Sequence, residues 1–258
     1  MKQDFLRQKL TPAQRLYGLF CCSYSVQAAE AISQSGYDFL IFDGEHCPNT
    51  MPGLHAQLLA LAPTTTASIV RVSELNQGLF KQYLDLGVHA LMVPNVQSAQ
   101  EAELAVQFMK YPPLGRRGVA GSVRGSAYGR RKLSLEQANA QVALIVQAES
   151  VEAIQNIQEI TDVDGVDAVF FGPNDLAADM GYFGMPAQAE VRETIAAAIQ
   201  QVRAAGKVAG VLAGEKDCAF YLDAGATVVA LASEIGILVA GADALIERVR
   251  TQYETEQR

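Results

Sequence analysis

The chain has 258 residues, half of them apolar and 19% charged, with 28 acidic against 20 basic side chains and a net charge of −8. No apolar run approaches the roughly 20 residues of a membrane helix, and the acidic balance, without a long basic run, speaks against sequence-independent nucleic-acid binding. The opening MKQDFLRQKL carries charges where an export signal needs an apolar stretch, so the expected location is the cytoplasm.

Short β-branched or apolar runs alternate with longer amphipathic segments along the whole chain. The first predicted strand is LYGLFC (16–21), and the helical pattern SVQAAEAISQSG follows, with Gly36 as its stop. DFLIFD (38–43) is the second strand and runs into FDGEHCPN, which sets Asp43, Glu45 and His46 within four positions. ASIVRV (67–72) is the third, then the helical LNQGLFKQYLDLG, then HALMVP (89–94) as the fourth. After the helix SAQEAELAVQFMKY comes a Gly-, Arg- and Ser-rich excursion over 111–139, whose length and polarity predict a functional loop. ALIVQAE (143–149), DAVFFG (167–172), KVAGVLA (207–213) and TVVALAS (227–233) complete eight strands, and IGILVAGADALIERVRTQY closes the chain as a helix. Eight such alternations in about 250 residues predict one (β/α)8 TIM barrel rather than an open doubly wound sheet.

Barrel enzymes act at the C-terminal ends of their strands, so the residues on which each strand ends are the candidates. Strand two ends on Asp43, Glu45 and His46, strand three on Arg71, strand five on Gln147 and Glu149, and strand six on Gly172, Pro173, Asn174 and Asp175. Asp38, His89, Asp167 and Lys207 fall at the opposite ends. Glu149 and Asp175 are oxygen ligands of the kind a hard divalent cation accepts, or else ordinary loop acids, Asp175 then capping a helix. His46 has a side chain suited to a base near neutral pH, with Asp43 or Glu45 to orient it, or it is a loop histidine bonded to backbone. Arg71, ending an apolar strand, requires an anion, either a neighbouring carboxylate or a bound oxyanion.

The lysines argue against Schiff-base chemistry: only Lys207 touches a strand, at the wrong end, and Lys216 sits in a loop after strand seven. Cys21, Cys22, Cys47 and Cys218 contain no C-x-x-C pair and are read as reduced thiols, without a disulfide framework or a zinc site.

Taken together, FDGEHCPN, Arg71-Val72, LMVPNVQSAQEAE, YPPLGRRGVAGSVRGSAYG, VQAES and FFGPNDLAADMG resemble the HpcH/HpaI family of class II pyruvate aldolases, from about Gly18 to Gly184. The resemblance implies a barrel of the phosphoenolpyruvate/pyruvate-binding type. In it Glu149 and Asp175 hold a divalent metal (Mg2+, Mn2+ or Co2+), and His46, supported by Asp43, is the catalytic base. Arg71 stabilises the pyruvate enolate. Gln147 and the turn Gly172, Pro173 and Asn174 face the bound keto acid, and Arg124 and Tyr128 build the aldehyde side of the pocket. It further implies a 2-keto acid and an aldehyde as small-molecule partners, and a homo-oligomer, a hexamer of three dimers that exchange the last helix. Strand eight departs from the family pattern by leading into Ser233 and Glu234. Two alternatives stay open. One is the same enolate chemistry on oxaloacetate or a malyl- or citramalyl-CoA thioester, with Arg116, Arg117, Arg130 and Arg131 for the CoA phosphates; the other is a non-catalytic metabolite-binding barrel.

Overall fold

In the computed structural model, which describes residues 5–254, eight parallel strands close into a ring in sequence order. They are β1 (Leu16–Cys21), β2 (Phe39–Asp43), β3 (Ala67–Arg71), β4 (Ala90–Val93), β5 (Ala143–Ala148), β6 (Ala168–Phe171), β7 (Val208–Leu212) and β8 (Val228–Ser233). Each coincides with a predicted run to within two residues at either end. The helices are α1 (Phe5–Lys9), α2 (Val26–Ile32), α3 (Met51–Leu61), α4 (Gln77–Asp85), α5 (Ala99–Met109) and α6 (Leu135–Gln141). They continue with α7 (Val151–Gln155), α8 (Ile157–Asp162), α9 (Pro173–Asp179), α10 (Ala189–Ala204), α11 (Glu215–Ala224) and α12 (Glu234–Glu254). Several of the helices that follow strands begin on a side-chain cap. Ser25, Thr50, Asn76, Ser98 and Ser150 each accept a backbone N–H from the first turn, which satisfies one orphan donor and sets the angle at which the chain leaves the strand.

Two-residue strand periodicity divides the buried side chains into two shells. One parity packs outward beneath the helices, including Leu40, Phe42, Val70, Leu144, Val146 and Val229. The other fills the ring: Phe39 and Ile41, Ala67 and Ile69, Ala143 and Ile145, Ala168 and Phe170. Continued upward, the inner parity reaches Asp43, Arg71, Gln147 and Gly172. Apolar layers at the bottom and polar groups at the top therefore arise from one alternation. Leu6 and Leu10 belong to the inner cluster and cap the bottom of the ring; complete burial of Leu6 contributes about 2 kcal/mol. Arg7 pairs with Asp167 at 2.9 Å and Lys9 with Asp38 at 3.7 Å, so the acids assigned to the bottom of the strands anchor this N-terminal cap.

The ring closes where β8 meets β1, pairing Leu16 with Val228 and Gly18 with Ala230, with a register shift between Gly18 and Phe20. Just beyond that seam the Glu234 carboxylate accepts the backbone N–H of Cys22 at 2.7 Å and of Ser23 at 2.6 Å.

The excursion over 111–139 differs from expectation. It contains the 3-10 turn Arg124–Ser126 and α6, whose Ser134 and Gln137 form a reciprocal capping box. It also lies at the N-terminal face of the barrel. Topology dictates this: α5 returns the chain to the bottom of the ring and β5 starts there, so a connection from helix to strand begins and ends away from the catalytic rim.

Candidate active site

At the C-terminal rim a cavity of about 380 Å3 lies between the ends of β1, β2, β3, β5, β6, β7 and β8. Asp43, His46, Arg71, Gln147, Gly172, Pro173, Asn174 and Asp175 all line it, so most of the residues predicted from strand ends converge on one space.

Its centre is an ion pair. Asp43 and Arg71 are partners in the β2–β3 register, and their side chains leave the same face of adjacent strands. Arg71 donates through Nε and Nη2 to the two Asp43 oxygens, both at 2.8 Å, the forked geometry that makes such pairs strong. Asp43 is 1% exposed and Arg71 7%. Burial pushes the Asp43 carboxyl up, but the bonds and charge of Arg71 outweigh it and hold the group below the usual carboxylate range. The backbone N–H of Glu45 adds a bond at 3.0 Å, the thiol of Cys47 another at 3.1 Å, and Asn49 Nδ2 fixes the Asp43 carbonyl at 2.7 Å. Arg71 also reaches Glu45 Oε2 at 3.1 Å, and its guanidinium lies 5.0 Å from the centroid of the Phe20 ring.

His46 stands at the mouth, 63% exposed, with Nε2 3.6 Å from Glu45 Oε2. Of the two acids offered as its orienting partner, Glu45 is the one within ion-pair distance, while both oxygens of Asp43 bond Arg71.

Glu149 follows β5 and is 6% exposed. Its Oε1 accepts the Asn95 backbone N–H at 2.9 Å, and its Oε2 accepts the Gln147 side-chain amide. Among the described residues it has no basic partner within ion-pair distance. Burial, reinforced by the charge of Asp175 in the first turn of α9, raises its carboxyl to about 7. Gln147 Oε1 is buried without a hydrogen-bond partner. Gly172 permits this crowding, since a methyl group there would overlap Glu149 Oε2 and lie 2.9 Å from Gln147 Nε2.

Arg124 and Tyr128 do not join this cavity. Arg124 donates to the carbonyls of Leu86 at 2.6 Å and Leu58 at 3.0 Å and lines a separate pocket with Thr66, Ser68 and His89 at the bottom of the barrel; Tyr128 is exposed on the same loop. Arg117, taken up by Asp85, and Arg131, by Gln141, also lie in that connection and not at the rim. Conversely, strand-end reading passed over Phe20 and Phe170, which pack edge to face at 6.3 Å and wall the cavity, and Asn95, whose main chain steadies Glu149. The inner parity of β1 and β6 carried the signal for both aromatics; nothing in the sequence marked a backbone donor.

A closed parallel barrel that gathers a forked Arg–Asp pair, a histidine and two further acids at its C-terminal rim has the organisation of a barrel enzyme. Residues 16–240 match the family model for HpcH/HpaI aldolase/citrate lyase. The chain is 42% identical over 250 residues to a hydroxypyruvate/pyruvate aldolase of Delftia acidovorans, covering 96% of this chain and 93% of that one. It is 46% identical over 230 residues to a 4-hydroxy-2-oxo-heptane-1,7-dioate aldolase of Klebsiella pneumoniae, covering 88% and 86%. The crystal structure of a Burkholderia cenocepacia HpcH/HpaI aldolase/citrate lyase family protein superposes with a TM-score of 0.91 at 36% identity, covering 96% of this chain and 99% of that one. The chain belongs to the HpcH/HpaI aldolase/citrate lyase family and is a lyase.

Proposed function

We propose that the protein is a divalent-metal-dependent, class II aldolase that reversibly cleaves a 4-hydroxy-2-keto acid to pyruvate and an aldehyde. One observation carries this reading: Glu149 and Asp175, Arg71 and His46 meet at one rim. The Delftia acidovorans and Klebsiella pneumoniae relatives, a hydroxypyruvate/pyruvate aldolase and a 4-hydroxy-2-oxo-heptane-1,7-dioate aldolase, support it.

The donor set fits a hard cation. Glu149, Asp175 and the unpartnered Gln147 Oε1 are all oxygens, which suit Mg2+, Mn2+ or Co2+ better than a thiophilic ion. A buried carboxylate that is costly to ionise beside a second acid is stabilised by positive charge, so Glu149 and Asp175 are the residues that would hold the metal. When bound, the cation supplies Lewis acidity toward the keto oxygen of the substrate.

The remaining steps belong to the protein. Arg71, fixed by Asp43, presents a preorganised positive charge to the oxygen on which negative charge grows. His46 takes the proton of the C4 hydroxyl, and Glu45 stabilises the imidazolium that results. The C3–C4 bond then breaks, its electron pair stays with the pyruvate fragment as an enolate, the aldehyde leaves, C3 takes a proton from solvent, and the imidazolium returns its proton to solvent. Gly172, Pro173 and Asn174 frame the keto-acid carboxylate beside Gln147. Among the described residues no lysine lines the cavity, Lys207 is bonded to the Val166 carbonyl at 2.8 Å at the bottom of the ring, and Lys216 is exposed in α11. Borohydride with pyruvate is therefore expected to leave no adduct.

The test is a pyruvate-release screen over 4-hydroxy-2-keto diacids and 2-keto-3-deoxy sugar acids, with oxaloacetate and malyl-CoA as comparison substrates. EDTA should abolish release and Mg2+, Mn2+ or Co2+ should restore it; undiminished turnover in chelator would refute the metal role. His46→Gln is expected to lower kcat by about 10²- to 10⁴-fold with little change in thermal stability, since the side chain is mostly solvated. An activity within threefold of wild type would remove it as the base.

We further propose a cytoplasmic homo-oligomer, a hexamer built as three dimers that exchange α12. The 21 residues of α12 span about 31 Å and expose Ile237, Leu238, Leu245, Ile246 and Val249. Such an apolar face favours a second copy of the chain. Leu238→Asp with Leu245→Asp is expected to shift the mass measured by light scattering to a smaller species; an unchanged mass would argue against this role for α12.

A further inference from the structure

Two thiols line the cavity and take no part in the chemistry above. Cys22 follows β1 and Cys47 lies in the turn after β2, both half-buried. Their sulfur atoms and an Asp43 carboxylate oxygen all lie within 4.8 Å of one another. Cys47 already points at that acid, donating to Asp43 Oδ2 at 3.1 Å. A tetrahedral ion with metal–sulfur bonds of about 2.3 Å sets its two sulfurs about 3.8 Å apart, so a small side-chain adjustment brings the three donors to bonding distance. The supporting backbone is fixed: Glu234 holds the N–H of Cys22, and Asn49 holds the Asp43 carbonyl.

We infer that Cys22, Cys47 and Asp43 form a second metal site, specific for a thiophilic divalent cation such as Zn2+ or Cd2+, through which that cation inhibits the enzyme. Two thiolates and one carboxylate oxygen are a borderline-soft donor set, unlike the oxygens around Glu149 and Asp175. On binding, two S–H bonds break, two sulfur–metal bonds form, both protons pass to solvent and no electrons are transferred. The ion brings two positive charges and two protons leave, so the net charge beside Arg71 is unchanged. Burial first pushes both thiols above their ordinary range, helped by the charges of Glu234 and Asp43 at Cys22 and by the Asp43 carboxylate at Cys47, so the arriving cation and not the solvent removes their protons. Inhibition follows because the ion draws on the same carboxylate that holds Arg71 in place.

The test is to titrate Cd2+ into the whole protein with Mg2+ in large excess. A sulfur-to-cadmium charge-transfer absorbance saturating at one equivalent is expected, with affinity weakened more than tenfold by Cys22→Ser or Cys47→Ser and unaltered by Cys218→Ser. A band that survives the paired Cys22→Ser and Cys47→Ser substitutions overturns the site. A second measurement uses the unsubstituted protein: one equivalent of Zn2+ should slow iodoacetamide labelling of Cys22 and Cys47 together at least tenfold, read by peptide mass spectrometry, while Cys218 labels as before. Equal labelling with and without Zn2+ overturns it independently of any variant. Inhibition of pyruvate release by one equivalent of Zn2+ rests on the proposed aldolase reading, and binding without inhibition refutes the inhibitory role. An absence of turnover on every substrate tested would count against that reading alone, since absorbance and labelling decide the site without it.

Discussion

Glu149→Gln is expected to abolish turnover and, in the same protein freed of metal, to raise thermal stability at pH 8. The two effects have one cause. The folded carboxyl titrates at about 7 against an ordinary 4.5, so the native chain binds this proton more tightly than the unfolded chain does. The stability this proton confers is complete below pH 4.5 and is lost as pH rises through about 7; at pH 8 the ionised group costs on the order of 3 kcal/mol. Glutamine removes that cost. Its oxygen can still accept the Asn95 N–H, and Gln147 can turn its amide so that the now unpartnered Oε1 accepts the new NH2 group. Activity should fall at least 10³-fold, a barrier increase of about 4 kcal/mol, because the main anchor for the cation is gone. Scanning calorimetry in EDTA at pH 8 and pH 4 should show the variant more stable at the higher pH and level with wild type at the lower. A lower melting temperature at pH 8, or retained activity, would contradict this.

The second large effect is expected at the forked pair. Asp43→Asn leaves the Arg71 guanidinium 7% exposed without its counter-charge, and breaking such a pair from one side costs roughly 3–5 kcal/mol. Glu45, at 3.1 Å from Nη1, can offset part of that loss. Urea unfolding should show the destabilisation, and turnover should fall with it because the fixed charge loses its orientation. Asp43→Asn combined with Arg71→Met is the informative comparison. It removes both charges, so stability should recover by more than half while activity stays absent. Recovery of activity in the double variant would show that the pair is structural only.

Much of this architecture was legible in the sequence because barrel strands, buried on both faces, write themselves as short apolar runs, and a glycine such as Gly36, which takes a positive φ, marks where a helix stops. The rim was legible for a related reason: a charged residue closing an apolar run, as Asp43 and Arg71 do, has few places to go except the lumen. Two things were hidden. The resemblance put Arg124 and Tyr128 on the aldehyde side of the pocket, but the face on which a loop emerges depends on whether it leaves a strand or a helix; this one leaves a helix, and within one chain both residues lie away from the rim cavity. The partner of His46 was hidden because only the folded geometry shows that Arg71 takes both oxygens of Asp43 and that Glu45 Oε2 stands between Arg71 and the imidazole.

The seam between β1 and β8 bears on how the molecule is made. The Glu234 carboxylate and the Cys22 amide it binds are 212 residues apart in the chain, among the longest-range contacts the fold contains. Until β8 has left the ribosome, β1 is an unpaired edge, a template for pairing with other nascent chains. Closure carries a loop entropy set by nearly the whole polypeptide, which places it late in assembly. Glu234 ties down that seam just beyond β8, and a chain truncated before Val228 would be left as an open, association-prone sheet.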